Sequence, residues 1–337
     1  MKVDRPVARE HNGCLWLSVM LLDKFNRPLE VLEILAGDLP AANQDPSEDP
    51  TGQSAPLFPS LHIAAFVKVM AALGLRRALL AGEEPLNRPD ILELAANLAA
   101  AHPRMEVIVR TGSPSLPALA QGLARAGVTR LYAAIPSVDR SQFSSITGRP
   151  AQDLEDLMEG LKIASASGME TIVEVECRSA PDWQTISAVA LWAISSGYGV
   201  KVVEGTEEEE DFTGKVLHEI GKTHKLAEGE RPGAWLTEKE GAKVEIVTQS
   251  RLRNCYECQR MWLTATGKVK MCSHHHEEHD LAELFDAGCW EAELLDFAMK
   301  APLNKPQGFF LRGQNPCLAG PNAPADPDPT QRSVPRS

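Results

Sequence analysis

Short apolar segments alternate with amphipathic ones over the first two thirds of the chain, and this alternation limits the possible folds more than any other feature. The apolar and β-branched segments are typical of strands, and the segments between them are typical of helices. We predict strands at residues 15–20, 77–81, 106–110, 130–135, 171–176 and 200–204, a short helix at 28–35 and a long loop at 37–60. Consecutive strands joined by helices pair in parallel, because the helix returns the chain to the same edge of the sheet. We therefore expect an α/β fold, a partial (βα)6 barrel of the TIM type, with ligands at the carboxyl ends of its strands.

The pattern changes near residue 212, where short strands and a cysteine-containing segment replace the regular alternation. We predict three parts: the partial barrel at residues 1–211, a smaller α+β domain at 212–316, and a disordered tail at 317–337. The tail is dominated by Pro, Ala, Asp and Ser, which bury too little apolar surface to order a chain.

Charge and cysteine content exclude several classes of function. The chain has 337 residues and a formal net charge of -12, so it lacks the basic surface that displaces counterions from nucleic acid. No segment has the pattern of a signal peptide or the length of a membrane-spanning helix. Seven cysteines, an odd number, fit a reducing compartment better than a disulfide framework. We expect a cytoplasmic protein that binds neither nucleic acid nor membrane.

The segment CYECQRMWLTATGKVKMC at residues 255–272 carries the strongest chemical signal. Two residues separate Cys255 from Cys258, so one tight turn can direct both sulfurs at a single site. The residues that follow predict a hairpin with its turn at Thr266 and Gly267, which would bring Cys272 back beside that pair. Three thiolates form a soft-ligand site suited to zinc or to an iron–sulfur cluster. The alternative is a buried or redox-active cysteine pair to which Cys272 is unrelated.

Histidines directly after the hairpin leave the ligand set open. One of His274, His275, His276 and His279 could complete a closed Cys3His zinc site. Cys317 could complete it only if the chain folds back. The alternative is that these histidines lie in a solvated polar loop before a helix.

Several motifs together resemble the GTP 3',8-cyclases, which are radical S-adenosylmethionine (SAM) enzymes that begin molybdenum-cofactor (molybdopterin) biosynthesis. The similar segments lie in the expected order within residues 13–312: CLWLSV, LLAGEEPLNRPD, LARAGVTRLYAAIPSVDRSQFSSITGR, CYECQRMWLTATGKVKMC, DLAELFDAG and KAPLNKPQGFF. The resemblance implies a partial barrel of the radical SAM kind. It also implies a C-terminal domain in which Cys255, Cys258 and Cys272 hold a [4Fe–4S] cluster with one iron left open for substrate.

The resemblance fails at the cluster that cleaves SAM. In the family, the first strand is followed by a CxxxCxxC motif that holds this cluster. Aligned from CLWLSV, the three positions are Asp23, Arg27 and Glu30, and no cysteine lies between Cys14 and Cys177. An arginine cannot ligate iron, and carboxylates are hard donors that suit such a cluster poorly.

Other family positions that contact SAM have also changed. The second glycine of the family's Gly-Gly-Glu-Pro motif is Glu83, which puts a charged side chain where the backbone should approach the ligand closely. The polar positions after the fourth strand correspond to Ala134, Ile135 and Pro136. We therefore expect that SAM is not bound and that the family's radical chemistry is lost, and we assign no catalytic residue.

The substrate pocket implied by the resemblance is partly retained. Arg260 occupies a basic position of the family, while Lys201 and Arg77 keep the charge at two others with a different side chain. Three arginines and a threonine of the family are replaced here by Trp16, Leu79, Ala81 and Trp262. Losing three guanidinium groups removes most of the phosphate recognition, so a smaller or less charged ligand is an equal alternative to GTP.

Three hypotheses follow. The first is a [4Fe–4S] protein of pterin or molybdenum/tungsten-cofactor metabolism that binds a nucleotide, a pterin or a partner protein of cofactor biosynthesis. The second is a zinc-stabilised module without catalytic activity. The third is an active cyclase, which would require the missing cluster to come from elsewhere.

Overall fold

A computed structural model describes the chain in eleven stretches. These are residues 8–11, 14–17, 21–36, 57–176, 183–204, 211–229, 233–237, 241–248, 255–273, 277–285 and 290–306, with only the backbone described in the first two. The strands in these stretches are β1 Ala8–His11, β2 Cys14–Leu17, β3 Val31–Leu35, β4 Arg77–Ala81, β5 Glu106–Thr111, β6 Val128–Ala134, β7 Glu170–Glu176, β8 Gly199–Val203, β9 Leu226–Glu228, β10 Ala234–Thr237, β11 Lys243–Val247, β12 Arg260–Leu263, β13 Lys268–Lys270 and β14 His279–Asp280.

Helices connect most of the central strands. They are α1 Ser60–Ala72, α2 Ile91–Ala100, α3 Leu116–Arg125, α4 Arg140–Thr147, α5 Ala151–Ala166, α6 Trp183–Ser195, α7 Phe212–Gly221, α8 Leu281–Phe285 and α9 Trp290–Lys300. Short 3-10 turns lie at Pro85–Asn87, Cys255–Glu257 and Ala301–Asn304. Among the residues described, no helix is long and apolar enough to cross a membrane.

Most strands form one large sheet. Its order is β14-β13-β12-β3-β4-β5-β6-β7-β8-β11-β10-β9, and β1 pairs only with β2 in a separate antiparallel ribbon. The eight adjacent strands from β12 to β11 in this order all pair in parallel. The α/β class and the partial, TIM-like barrel predicted from the sequence are confirmed. Strands from the predicted domains at residues 1–211 and 212–316 lie in this one sheet, and the boundary between them stays a prediction.

The first strand of the sheet was predicted wrongly. β3, Val31–Leu35, pairs in parallel with β4, although residues 28–35 were predicted as a short helix. The predicted strand at 15–20 corresponds in part to β2, which lies outside the large sheet. The spacing of apolar residues in this stretch fits a helix as well as a strand, and pairing with β4 and β12 on both sides decides for the strand.

This correction changes the position of the family's cysteine motif. The motif follows the first strand, whereas Asp23, Arg27 and Glu30 precede β3. Their assignment as counterparts of the three cysteines is therefore wrong. The loop predicted at residues 37–60 lies mostly outside the described residues. The sequence has no cysteine between Cys14 and Cys177, so the residues that follow β3 contain none.

Alternation along the strands gives the sheet two different faces. Leu80, Val109 and Val173 are fully buried and share one core with Phe66 of α1 and Leu94 of α2. The intervening residues point to the opposite face. That face, called the charged face below, carries polar residues that lie in register on neighbouring strands: Arg77, Glu106, Arg110, Arg130, Tyr132, Glu170, Glu174, Lys201 and Lys243.

Candidate functional site

The first two cysteines lie on a tight turn at the amino-terminal edge of the sheet. Cys255 begins a 3-10 turn, and the backbone N–H of Cys258 donates to the carbonyl oxygen of Cys255 at 3.3 Å. β12 starts two residues later at Arg260 and runs parallel to β3. The turn therefore lies at the edge where the parallel strands begin, opposite the carboxyl ends at which ligands were expected.

A hairpin brings the third cysteine back to the same edge, as predicted. β12 and β13 pair antiparallel through Trp262–Lys270 and Leu263–Val269, and Cys272 follows β13 by two residues. Gly267 closes the turn with a φ of 93°, and a Cβ atom there would lie 2.5 Å from the ring of Phe58. The turn thus requires glycine both for its backbone conformation and for its space.

A buried lysine from the C-terminal segment faces these cysteines. Lys305 is 1% exposed, and its Nζ donates to the carbonyl oxygens of Met271, at 2.7 Å, and of Arg260. The charge of the same ammonium acts on the sulfurs of Cys258 and Cys272. Burial lowers the pKa of Lys305, and the sulfurs oppose this shift because they favour the charged ammonium.

A buried ion pair fixes the cysteine turn from the other side. Arg27 Nε donates to Asp23 Oδ2 at 2.6 Å, and the two side chains are 6% and 0% exposed. The Nη groups of Arg27 donate to the carbonyl oxygens of Cys255 and, at 2.7 Å, of Pro306. Arg27 therefore joins the cysteine turn to the residue that follows Lys305.

The three cysteines suit a soft metal centre by the chemistry of their donors. They are thiols outside any disulfide and are partly accessible, and the backbone brings them to one edge. Within the described ranges, no three His, Cys, Asp or Glu side chains are arranged to hold one metal ion. The assignment of Cys255, Cys258 and Cys272 as ligands stays a prediction.

Of the candidate fourth ligands, only His279 lies within the described residues. It belongs to β14, its ring contacts Phe297 edge-on at 5.3 Å, and its Nε2 lies 3.7 Å from Glu277. His279 and Glu277 also line a narrow cleft beside Cys272. His274, His275, His276 and Cys317 fall outside the described residues.

The three basic residues predicted to bind a ligand lie on the charged face but not together. Arg260 on β12 pairs with Glu33 at 3.2 Å, and Arg77 on β4 pairs with Glu30 at 3.2 Å. Only β3 separates these two strands, whereas Lys201 lies on β8, four strands beyond β4. The structure thus places Arg77 and Arg260 near the cysteine edge and Lys201 in a separate network.

That network is centred on a buried carboxylate that the sequence did not single out. Glu174, 4% exposed, accepts from Arg110 at 2.6 Å and from Lys201 at 2.8 Å. Burial disfavours the carboxylate, but the charges of Lys201 and Arg110 outweigh it and hold the pKa of Glu174 below its usual value. The ring of Tyr132 lies under the Lys201 ammonium at 5.1 Å, and burial raises the pKa of Tyr132. An incoming anion would have to compete with Glu174 for both cations.

Carboxylates also form ion pairs with the cations at the amino ends of the strands. Arg130 contacts Glu106 at 2.9 Å and Glu170 at 2.7 Å, and Lys243 pairs with Glu170. Every cation named on the charged face therefore has a carboxylate partner.

At the carboxyl-terminal edge, the second glutamate of the Gly-Glu-Glu-Pro segment, Glu84, accepts hydrogen bonds from neighbouring residues. Glu84 Oε1 accepts from the Thr111 hydroxyl at 2.6 Å and from the N–H of Leu86 at 3.0 Å. Its Oε2 accepts from the N–H of Gly112 at 2.9 Å. Glu83, by contrast, is exposed. Three donors thus fix Glu84 in a structural position at the end of β4, while the charge of Glu83 projects from the same turn.

Comparison with known proteins identifies relatives of this chain. Residues 54–175 match the model of the radical SAM superfamily. The GTP 3',8-cyclase of Rhodococcus opacus (strain B4) is 29% identical over 255 residues, covering 71% of this chain and 72% of that protein. The GTP 3',8-cyclase of Mycobacterium marinum (strain ATCC BAA-535 / M) is 28% identical over 337 residues, covering 90% of each.

Solved structures agree on the fold. Streptococcus suis SuiB bound to S-adenosylmethionine superimposes with a TM-score of 0.55 at 13% identity, over 82% of this chain and 65% of that one. Native anSMEcpe with bound AdoMet gives a TM-score of 0.50 at 11% identity, over 81% of this chain and 84% of that one. The partial barrel therefore has the same kind of fold as these two proteins.

Proposed function

Because this chain resembles the GTP 3',8-cyclases in sequence and the radical SAM enzymes in fold, we propose that it is an iron–sulfur protein of pterin or molybdenum/tungsten-cofactor metabolism. Its [4Fe–4S] cluster is held by Cys255, Cys258 and Cys272, and it no longer cleaves SAM. It is cytoplasmic and performs no radical catalysis. It binds a small nucleotide or pterin, or a partner protein of cofactor biosynthesis.

The observation that carries this proposal is the single buried ammonium that Cys258 and Cys272 share. Lys305 donates to the carbonyl oxygens of Arg260, two residues after Cys258, and of Met271, immediately before Cys272. A buried cation stabilises nearby negative charge, and thiolates are the charged form in which cysteines bind metal. The arrangement therefore supports a three-thiolate centre at this edge.

Two features support the loss of SAM cleavage. The sequence contains no cysteine between Cys14 and Cys177, so the residues after β3 cannot supply three thiolates to a cluster. At the carboxyl-terminal edge, Glu84 already accepts three hydrogen bonds, from Leu86, Thr111 and Gly112. A ligand that needed the carboxylate of Glu84 would have to share it with these donors.

The pairing of charges on the charged face supports a ligand with less negative charge than GTP. Arg77, Lys201 and Arg260 all contact carboxylates there. A triphosphate would have to displace these carboxylates and then lie among them, which like-charge repulsion opposes. Calorimetric titration with GTP and with guanosine tests this point. We expect similar affinities for both, and much tighter binding of GTP would contradict it.

Metal analysis of anaerobically purified protein tests the cluster assignment. We expect about four irons and four sulfides per chain, which Cys258→Ser abolishes and Cys289→Ser, outside the three-cysteine motif, leaves unchanged. Stoichiometric zinc without iron would overturn the assignment. Incubation with SAM and dithionite should yield no 5'-deoxyadenosine, and its formation would overturn the loss of SAM cleavage.

The second candidate is a zinc-stabilised module without catalytic activity. The observation in its favour is that His279 and Glu277 line the cleft beside Cys272, where a fourth ligand would complete a closed site. In this case His279→Ala would lower zinc retention, whereas a three-cysteine iron–sulfur cluster would tolerate the substitution.

A further inference from the structure

The side chain of Lys305 is almost fully buried, and hydrogen bonds hold its ammonium in place. An ammonium has three N–H donors, and here the carbonyl oxygens of Arg260 and Met271 accept two of them, while its charge acts on Cys258 and Cys272. Lysine is rarely buried to 1% exposure, because leaving water costs a charged group several kcal/mol unless it is paired.

The position of the acceptors directs the charge to the cysteines. Arg260 lies two residues after Cys258, and Met271 immediately precedes Cys272. The two carbonyl bonds therefore hold the ammonium at the open end of the hairpin, near the residues that carry these sulfurs. Trp262 covers it from one side, with its ring centroid 5.6 Å from Nζ. The low local dielectric strengthens the interaction between the ammonium and any charge on the sulfurs.

We propose that Lys305 is a positioning residue of the metal centre, whose ammonium donates a hydrogen bond to the Cys258 sulfur and makes the bound cluster easier to reduce. This inference rests on the cluster assignment above. Hydrogen bonds to cysteine sulfurs and nearby positive charge favour the reduced, more negative cluster, and both are recognised determinants of cluster potential.

The substitution Lys305→Met tests this role, because it removes the charge and the donor while keeping a long apolar side chain. Redox titration of the iron-loaded protein, followed by electron paramagnetic resonance, measures the reduction potential. We expect the equilibrium between reduced and oxidised cluster to shift at least tenfold toward the oxidised form, which is about 59 mV for one electron. Lys300→Met is the matched control, since Lys300 is 73% exposed and pairs with Asp296 on α9.

A measurement on the wild-type chain covers the case in which Lys305→Met does not fold or take up iron. With ¹⁵N-labelled lysine, pulsed electron paramagnetic resonance of the reduced cluster should detect a coupled lysine nitrogen. That coupling should persist in Lys300→Met. Its absence from the wild type, or an unchanged potential in iron-loaded Lys305→Met, would overturn the role of Lys305. A wild-type chain that binds no iron would instead overturn the cluster assignment, and this inference with it.

Discussion

The two edges of the parallel sheet use their polar groups in opposite ways. At the amino-terminal edge, Lys305 and Arg27 are buried and direct their donors at the segment that carries Cys255 and Cys258. At the carboxyl-terminal edge, Glu84 accepts hydrogen bonds from three donors of its own chain. Ligands of α/β barrels bind at the carboxyl edge as a rule. The contrast teaches that in this chain the three cysteines predicted to bind metal lie at the other edge.

The largest effect is expected from breaking the buried ion pair at the amino-terminal edge. Arg27→Ala leaves the Asp23 carboxylate buried without this partner and removes the bonds to Cys255 and Pro306. Removing one member of a buried pair costs about 3–5 kcal/mol, so the free energy of unfolding should fall by that amount. Urea denaturation measures the change.

Arg140→Ala is the control for that experiment. Arg140 pairs with Glu155 on the surface, with side chains 65% and 43% exposed, and such pairs contribute at most about 1 kcal/mol. If both variants unfold at the same urea concentration, the ion pair of Arg27 does not stabilise the cysteine edge.

A smaller effect is expected at the carboxyl-terminal edge. Glu84→Ala leaves the donors of Leu86, Thr111 and Gly112 without their acceptor, which should lower the free energy of unfolding by about 2 kcal/mol. Neither iron content nor reduction potential should change, because Glu84 lies at the opposite edge from the cysteines. Glu83→Ala, at an exposed residue of the same turn, should leave the denaturation midpoint unchanged. A loss of iron in Glu84→Ala would contradict the separation of the two edges.

The smallest effect is expected in the network between the edges, and it depends on pH. The pKa of Glu174 is lowered in the folded protein, so its ion pairs add stability above the ordinary value of 4.5 and lose it as the pH falls through the folded value. Glu174→Gln should cost about 1 kcal/mol at neutral pH, since Arg110 and Lys201 remain partly solvated.

Urea denaturation at neutral pH and again well below pH 4.5 measures this dependence. The difference between wild type and Glu174→Gln should shrink at the lower pH. A difference that stays constant would mean that the carboxylate form of Glu174 is not preferred in the folded state.

The strands after the first could be predicted because they are apolar and rich in β-branched residues, as buried strands are, and because amphipathic helices separate them. β4 occupies the predicted residues, and β5 to β8 differ from the prediction only at their ends. The first strand could not be predicted, because PLEVLEIL satisfies both periodicities and only its neighbours β4 and β12 select the strand. The positions assigned to the family's SAM-cluster cysteines were wrong for the same reason.

The candidate site was predicted only where it is local in sequence. The spacing of Cys255, Cys258 and Cys272 and the glycine of the turn predicted the hairpin, which the structure confirms. Lys305 carried no local signal, since tertiary packing alone brings the C-terminal segment to the cysteines. Glu174 was missed because a single glutamate in an apolar strand does not reveal its partners on β5 and β8.

Anomalous X-ray diffraction at the iron edge, from crystals of anaerobically purified protein, tests the placement of the cluster most directly. We expect one strong iron peak bounded by the sulfurs of Cys255, Cys258 and Cys272, with the Lys305 ammonium beside it. A zinc peak at these sulfurs, or an iron peak elsewhere in the chain, would contradict the account.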